Sequence, residues 1–143
     1  MEKIVTSLWG KGNVGKSQTI KKAYDALRSK YRDAKEECKL ESNVDIMVVL
    51  TIGAFKVGIE SRGDPPGNRL KKSLQLFLQL DCAVIVCATR TRGRTVEAVK
   101  ELQPKYEILW LEQAEKSCVS EQQDSNSVMT QRIVKEIERA IDV

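Results

Sequence analysis

The sequence predicts one α/β domain, a largely parallel sheet with helices on both faces. Three observations predict it. Apolar runs rich in β-branched residues alternate along the chain with segments whose apolar side chains recur every three to four residues, the pattern of strands joined by crossover helices. One run, "CAVIVCA" at 82–88, is apolar nearly throughout, as a strand covered on both faces must be. Finally, 143 residues suffice for one core and are too few for a nucleotide domain plus a separate substrate domain.

Each element follows in order. Residues 3–9 alternate and end at Gly10, a short strand entering a glycine turn. From Ser17, the residues Ile20, Ala23, Tyr24, Leu27 and Tyr31 mark one face of a helix. The segment 32–43, "RDAKEECKLESN", has no apolar period and reads as a solvated connection. "VDIMVVLTIGAFKVGIES" then reads as two short strands meeting at Gly53, a hairpin, with one long strand as the alternative. Pro65 and Pro66 fit a turn or a first helical position, and Leu70, Leu74, Phe77 and Leu78 follow at helical spacing. After 82–88, "TVEAVKEL" is a short helix stopped by Pro104, and "YEILWLE" is another strand. The polar stretch 114–127 reads as a loop. Val128, Ile133, Val134, Ile137 and Ile141 then share one side of a closing helix capped by Ser127 or Asn126.

Composition narrows the chemistry. There is no histidine, so the commonest general base and every Ser-His or Cys-His nucleophile are missing. Catalysis would have to rest on carboxylates, Lys, Arg, backbone amides or a metal. Cys38, Cys82, Cys87 and Cys118 form no C-x-x-C pair, which argues against a zinc site; Cys82 and Cys87 read as small core residues, a functional thiol being the other reading. The net charge of +4 is mild and the basic residues form no single tract, so nucleic-acid binding finds little support. No apolar run approaches the ~20 residues of a membrane span, and "MEKIVTSLWG" lacks the features of a signal peptide. A cytoplasmic protein with no membrane partner is the expectation.

The turn after the first strand reads "GKGNVGKS". Gly10, Gly12 and Gly15 permit backbone conformations closed to other residues, so successive N–H groups can point at one anion. Lys16 would add a point charge, and the helix that begins there presents its positive end. This octapeptide, between a strand and a helix, resembles the G-x-x-x-x-G-K-[ST] phosphate loop of the P-loop NTPases. The resemblance implies a bound nucleoside triphosphate with Mg²⁺, held by Gly10, Lys11, Gly12, Asn13, Val14, Gly15, Lys16, Ser17 and Gln18, with Ser17 on the metal. It also implies a P-loop NTPase fold, a mostly parallel five-stranded sheet of order 2-3-1-4-5, strands 2 and 3 being the hairpin.

Other motifs are less complete. Lys11 resembles the extra lysine that partitioning and septum-site ATPases extend across a dimer interface, which leaves a homodimer open; Asn13 breaks their second glycine, and a solvated loop lysine is the favoured reading. "GIESRGDPP" is similar in position to the D-x-x-G motif of Ras-like GTPases, with Glu60 in the aspartate's place. Glu60 and Asp64 are equal candidates for the metal-side carboxylate, Asp64 being otherwise the cap of the next helix. Arg90, Arg92 and Arg94 follow the central strand on the same edge as the glycine turn. At least one of these three arginines could pair with phosphate oxygens or stack on a base, as lid arginines do in nucleotide kinases, against the alternative of a solvated loop. No N-K-x-D motif follows a late strand, which favours ATP over GTP. The function expected is Mg-dependent phosphoryl transfer from ATP by a small kinase or ATPase, with Lys16, Glu60, Asp64, Arg90 and Arg92 as the catalytic candidates. The alternative is a non-catalytic or very slow nucleotide-dependent interaction module, a GTPase-like or partitioning-ATPase-like switch. Neither a phosphoryl acceptor nor a protein partner has a signature.

Overall fold

The computed structural model describes residues 3–10, 15–62, 69–90, 93–113 and 119–141. In chain order its elements are β1 (Ile4–Trp9), α1 (Lys16–Lys30), β2 (Lys35–Glu41), β3 (Ile46–Ile52), β4 (Phe55–Glu60), α2 (Arg69–Gln79), β5 (Val84–Thr89), α3 (Arg94–Lys100), β6 (Glu107–Glu112) and α4 (Val119–Ile141). The six strands form one mixed sheet of order β2-β3-β4-β5-β1-β6. The four strands β4, β5, β1 and β6 run parallel, whereas β2, β3 and β4 are joined as an antiparallel meander.

Strand alternation sorts the core into two layers. Leu8, Val57, Ile59, Val84 and Val86 face α1 and α4, where they meet Ile20, Leu27, Ile133 and Ile137. Val5, Val49, Ile85 and Cys87 point the opposite way and meet Leu74 and Phe77 of α2 and Val99 of α3. Phe77 packs so closely on β4 that a Cβ at Gly58 would stand 2.6 Å from its ring, so the glycine is what lets helix and strand approach. Every residue of β5 is buried, in keeping with its apolar run and a place inside the sheet.

The expected five strands and their order need correction. In these labels the expected order was β3-β4-β1-β5-β6, but β5 lies between β4 and β1. The chain leaves β4, crosses through α2 and returns as the adjacent parallel strand, the local connection that a short crossover favours. Both β1 and β5 are apolar enough for an interior place, so composition alone could not order them. The sixth strand comes from the segment read as a solvated connection. β2 is exposed along its whole length, and an edge strand needs no buried face to pair through its backbone. Its charges tie it to α1: Tyr24 donates a hydrogen bond to Glu36, and Lys21 lies 3.5 Å from Glu41.

The closing helix also begins earlier than its apolar residues suggest. Residues 119–127, read as loop, belong to α4, and Asn126 is a buried residue inside the helix instead of its cap. Asn126, Thr130, Ile133 and Ile137 lie on one helical face, so the buried stripe starts with two polar residues that a hydrophobic period does not register. Among the described residues no helix is long and apolar enough to cross a membrane.

Candidate functional site

The carboxyl ends of β1 and β5 meet the first turn of α1, and three consecutive residues there are arranged by backbone conformation. Gly15 has φ 86 and ψ 16, a left-handed conformation that favours glycine, and a Cβ on it would stand 2.6 Å from both terminal atoms of Asn126. Lys16 follows, 6% exposed, and its ammonium donates hydrogen bonds of 2.7 Å to the carbonyls of Gly10 and Thr89. The side chain thus reaches back from the helix to the ends of two strands. Ser17 comes next, and its hydroxyl lies 2.8 Å from Asp45 Oδ1 and 3.3 Å from the carbonyl of Ser61.

Asp45 is the residue that the sequence did not single out. Ligands of parallel sheets sit beyond the carboxyl ends of strands, whereas Asp45 stands ahead of the antiparallel strand β3. Because β3 runs antiparallel to β4, however, its beginning lies beside the end of β4, with Met47 opposite Glu60. The hairpin therefore carries Asp45 to the edge where β1 delivers Ser17. A turn fixes it there: the Ser42 hydroxyl accepts from Asp45 N at 3.0 Å, and the Ser42 N–H donates to the Asp45 carbonyl at 2.9 Å. Ser61 completes the group, its hydroxyl 2.9 Å from Asp45 Oδ1 and 2.8 Å from the Ile46 N–H that donates to it. The available sequence signal was "SNVD", a turn-forming serine three residues before an acid and directly ahead of an apolar strand.

Glu60 has other partners. It is fully buried at the end of β4, on the α2 side, where its oxygens accept from Arg62 N at 2.7 Å, Arg62 Nε at 2.9 Å, Arg62 Nη2 at 3.0 Å and the Ser73 hydroxyl. The carboxylate in turn raises the Arg62 pKa above its ordinary value. This fork-shaped pair, with the Ser73 hydroxyl, ties the end of β4 to α2. Ser17 and Glu60 are not brought together by any described hydrogen bond.

On the other side of α1 an amide cluster holds the turn. Asn126 Nδ2 donates to Gln18 Oε1 at 3.0 Å, and Asn126 Oδ1 accepts from Gln113 and from Gln122 Nε2, the latter at 3.0 Å. Thr19 Oγ1 lies 2.9 Å from the Gly15 carbonyl and 3.0 Å from Gln113 Oε1. Three elements, β6, α1 and α4, are locked around Gly15 by these bonds. Arg90 is partly buried at the end of β5, its N–H donating to Thr95 Oγ1 at 3.0 Å. Lys11, Gly12, Asn13, Val14, Asp64 and Arg92 lie outside the described residues. The expectations placed on them stay expectations.

No protein-family model matches this chain, and comparison with curated proteins and with solved structures finds no match. Its chemistry is therefore read from its own residues.

Proposed function

We propose that the chain binds a Mg²⁺-bound nucleoside triphosphate, ATP in preference to GTP, on the 10–17 turn and carries out phosphoryl transfer to an acceptor or to water. The observation that carries this reading is the juxtaposition of Lys16 and Ser17 in the first turn of α1. One of these side chains is a buried ammonium drawn back to the ends of two strands; the other is a hydroxyl aimed at a carboxylate. A glycine in the left-handed region immediately before them supports the same reading, because it lets backbone N–H groups converge at the start of a helix.

The residues present fit the metal. A serine hydroxyl and a carboxylate 2.8 Å apart are hard oxygen donors, and Mg²⁺ in triphosphate sites takes few protein ligands, keeping its waters and the phosphates. Ser17 and Asp45 would hold the ion, and bound there it would neutralise charge on the phosphate oxygens. Lys16 exchanges a carbonyl acceptor for a phosphate oxygen, and the N–H groups of the turn orient the chain of phosphates. Asp45, anchored by Ser42 and Ser61, keeps its oxygen at Ser17 without reorganisation.

The test is calorimetric titration with Mg-ATP on the wild-type chain and on Lys16→Ala. Loss of binding in the variant, with an unchanged circular dichroism spectrum, is expected; undiminished binding refutes the proposal. One observation favours the non-catalytic alternative: the buried carboxylate Glu60 is committed to Arg62 and Ser73, and the chain has no histidine to act as a base. Measurement of phosphate release over many hours tests transfer to water: sustained release establishes turnover and refutes the interaction-module reading.

A further inference from the structure

We propose that the cleft formed by Trp9, Arg90, Val96, Lys100 and Trp110 is a binding site for a small, planar, anionic aromatic molecule. The cleft lies on the α3 side of the sheet, opposite α1. Residues 5, 7 and 9 of β1 point to that side together with 108 and 110 of β6, so the register Ser7–Trp110 places the two indoles as diagonal neighbours on adjacent strands. Val96 and Lys100, four residues apart on α3, supply the facing wall, and Arg90 closes the end where β5 stops. Its volume is about 230 Å³, below the usual range for drug-sized ligands, which fits a molecule of one or two rings.

The lining specifies the ligand class. Two indoles offer flat, polarisable faces for an aromatic ring, and both remain partly exposed although the same layer buries Phe77 and Tyr106 completely. Among the described residues that line it, Arg90 and Lys100 are cations, so a negative charge carried beside the ring meets opposite charge there. A neutral ring would gain nothing from the exposed ammonium of Lys100, and a non-aromatic anion would leave the indole faces unused. Binding here does not depend on the function proposed for the glycine turn, because it is measured on nucleotide-free protein.

The two tryptophans of the chain both line this cleft, so tryptophan fluorescence reports on it alone. Benzoate is the probe, with cyclohexanecarboxylate as the anion without a ring, benzyl alcohol as the ring without a charge, and adenosine as a neutral base. A saturable fluorescence change with benzoate is expected, at least about fivefold tighter than with any of the other three, a gap of about 1 kcal/mol. Lys100→Gln and Arg90→Gln should each weaken benzoate by roughly threefold to tenfold and leave benzyl alcohol unchanged. Lys100 is exposed, so its variant should melt like the wild type. The proposal is overturned if benzoate gives no saturable change, or if cyclohexanecarboxylate matches it, which would show that the indole faces do not select an aromatic ring. It is equally overturned if adenosine binds as tightly, which would make the cleft a base pocket, or if neither charge-removing variant alters benzoate affinity.

Discussion

Gly15→Ala should destabilise the protein through two separable effects, one carried by the backbone and one by Asn126. An alanine held at φ 86 costs roughly 1–2 kcal/mol, since the left-handed region brings Cβ against the following carbonyl. The new methyl group would also stand 2.6 Å from both Nδ2 and Oδ1 of Asn126 and 2.9 Å from Cγ. Asn126 cannot simply withdraw, because it is fully buried and bonded to Gln18, Gln113 and Gln122. Breaking that cluster leaves buried amide groups without partners and costs about 1–3 kcal/mol. Together the two effects come to roughly 2–5 kcal/mol. In an Asn126→Ala background the three atoms nearest to the methyl group are gone, so Gly15→Ala should cost little beyond the backbone share, roughly 1–2 kcal/mol. Urea denaturation of the four proteins, followed by circular dichroism with a common m-value, measures the cycle. If Gly15→Ala costs the same in both backgrounds, within about 0.5 kcal/mol, then α4 does not press on this glycine and the packing described here is wrong.

Lys16→Ala should weaken Mg-ATP binding by about tenfold or more, the scale of a lost charge-assisted hydrogen bond, and should also lower the urea midpoint, because the carbonyls of Gly10 and Thr89 lose a buried donor. Asp45→Asn keeps an oxygen for Ser17 but removes the negative charge; a Mg²⁺ titration of triphosphate binding should shift by about tenfold to a hundredfold, and no shift would exclude Asp45 from the metal side. Unlabelled GTP should compete poorly against labelled ATP, and a GTP advantage of about tenfold, or about 1.4 kcal/mol, would reverse the base preference. Burial pushes the Cys82 and Cys87 thiols up to about 12. Their neutral forms are thus favoured by the fold, so that contribution is complete below the ordinary thiol pKa and is lost as pH rises from there toward 12. Stability should fall over that alkaline window, less steeply in a Cys82→Ala, Cys87→Ala double variant, and alkylation at pH near 8 should label Cys38 ahead of both.

The sequence carried those features that follow from nearest neighbours along the chain. The apolar period from Ile20 to Leu27 fixes a helix, the unbroken run at 82–88 fixes a buried strand, and Gly53 between two β-rich runs fixes the turn of a hairpin, because each rests on side chains a few residues apart. The ends of β1 and the start of α1 were legible for the same reason, as was the place of Lys16, the first residue of that helix. Tertiary structure alone decided what depends on which strands become neighbours. The charged segment 35–41 is a strand only because β3 offers it an open edge, and residues 119–127 are helical in a face that packs Asn126 against α1. The position of β5 between β4 and β1 follows from a crossover whose length, not its composition, selects the neighbour. Asp45 illustrates the physical reason most directly. It lies 28 positions from Ser17 in the chain and 2.8 Å from it in space, and the reversal of β3 against β4 is what joins them. Local side-chain pattern determines each element and the face it buries. The pairing of polar side chains across elements is set by sheet order and strand direction, which no single segment encodes.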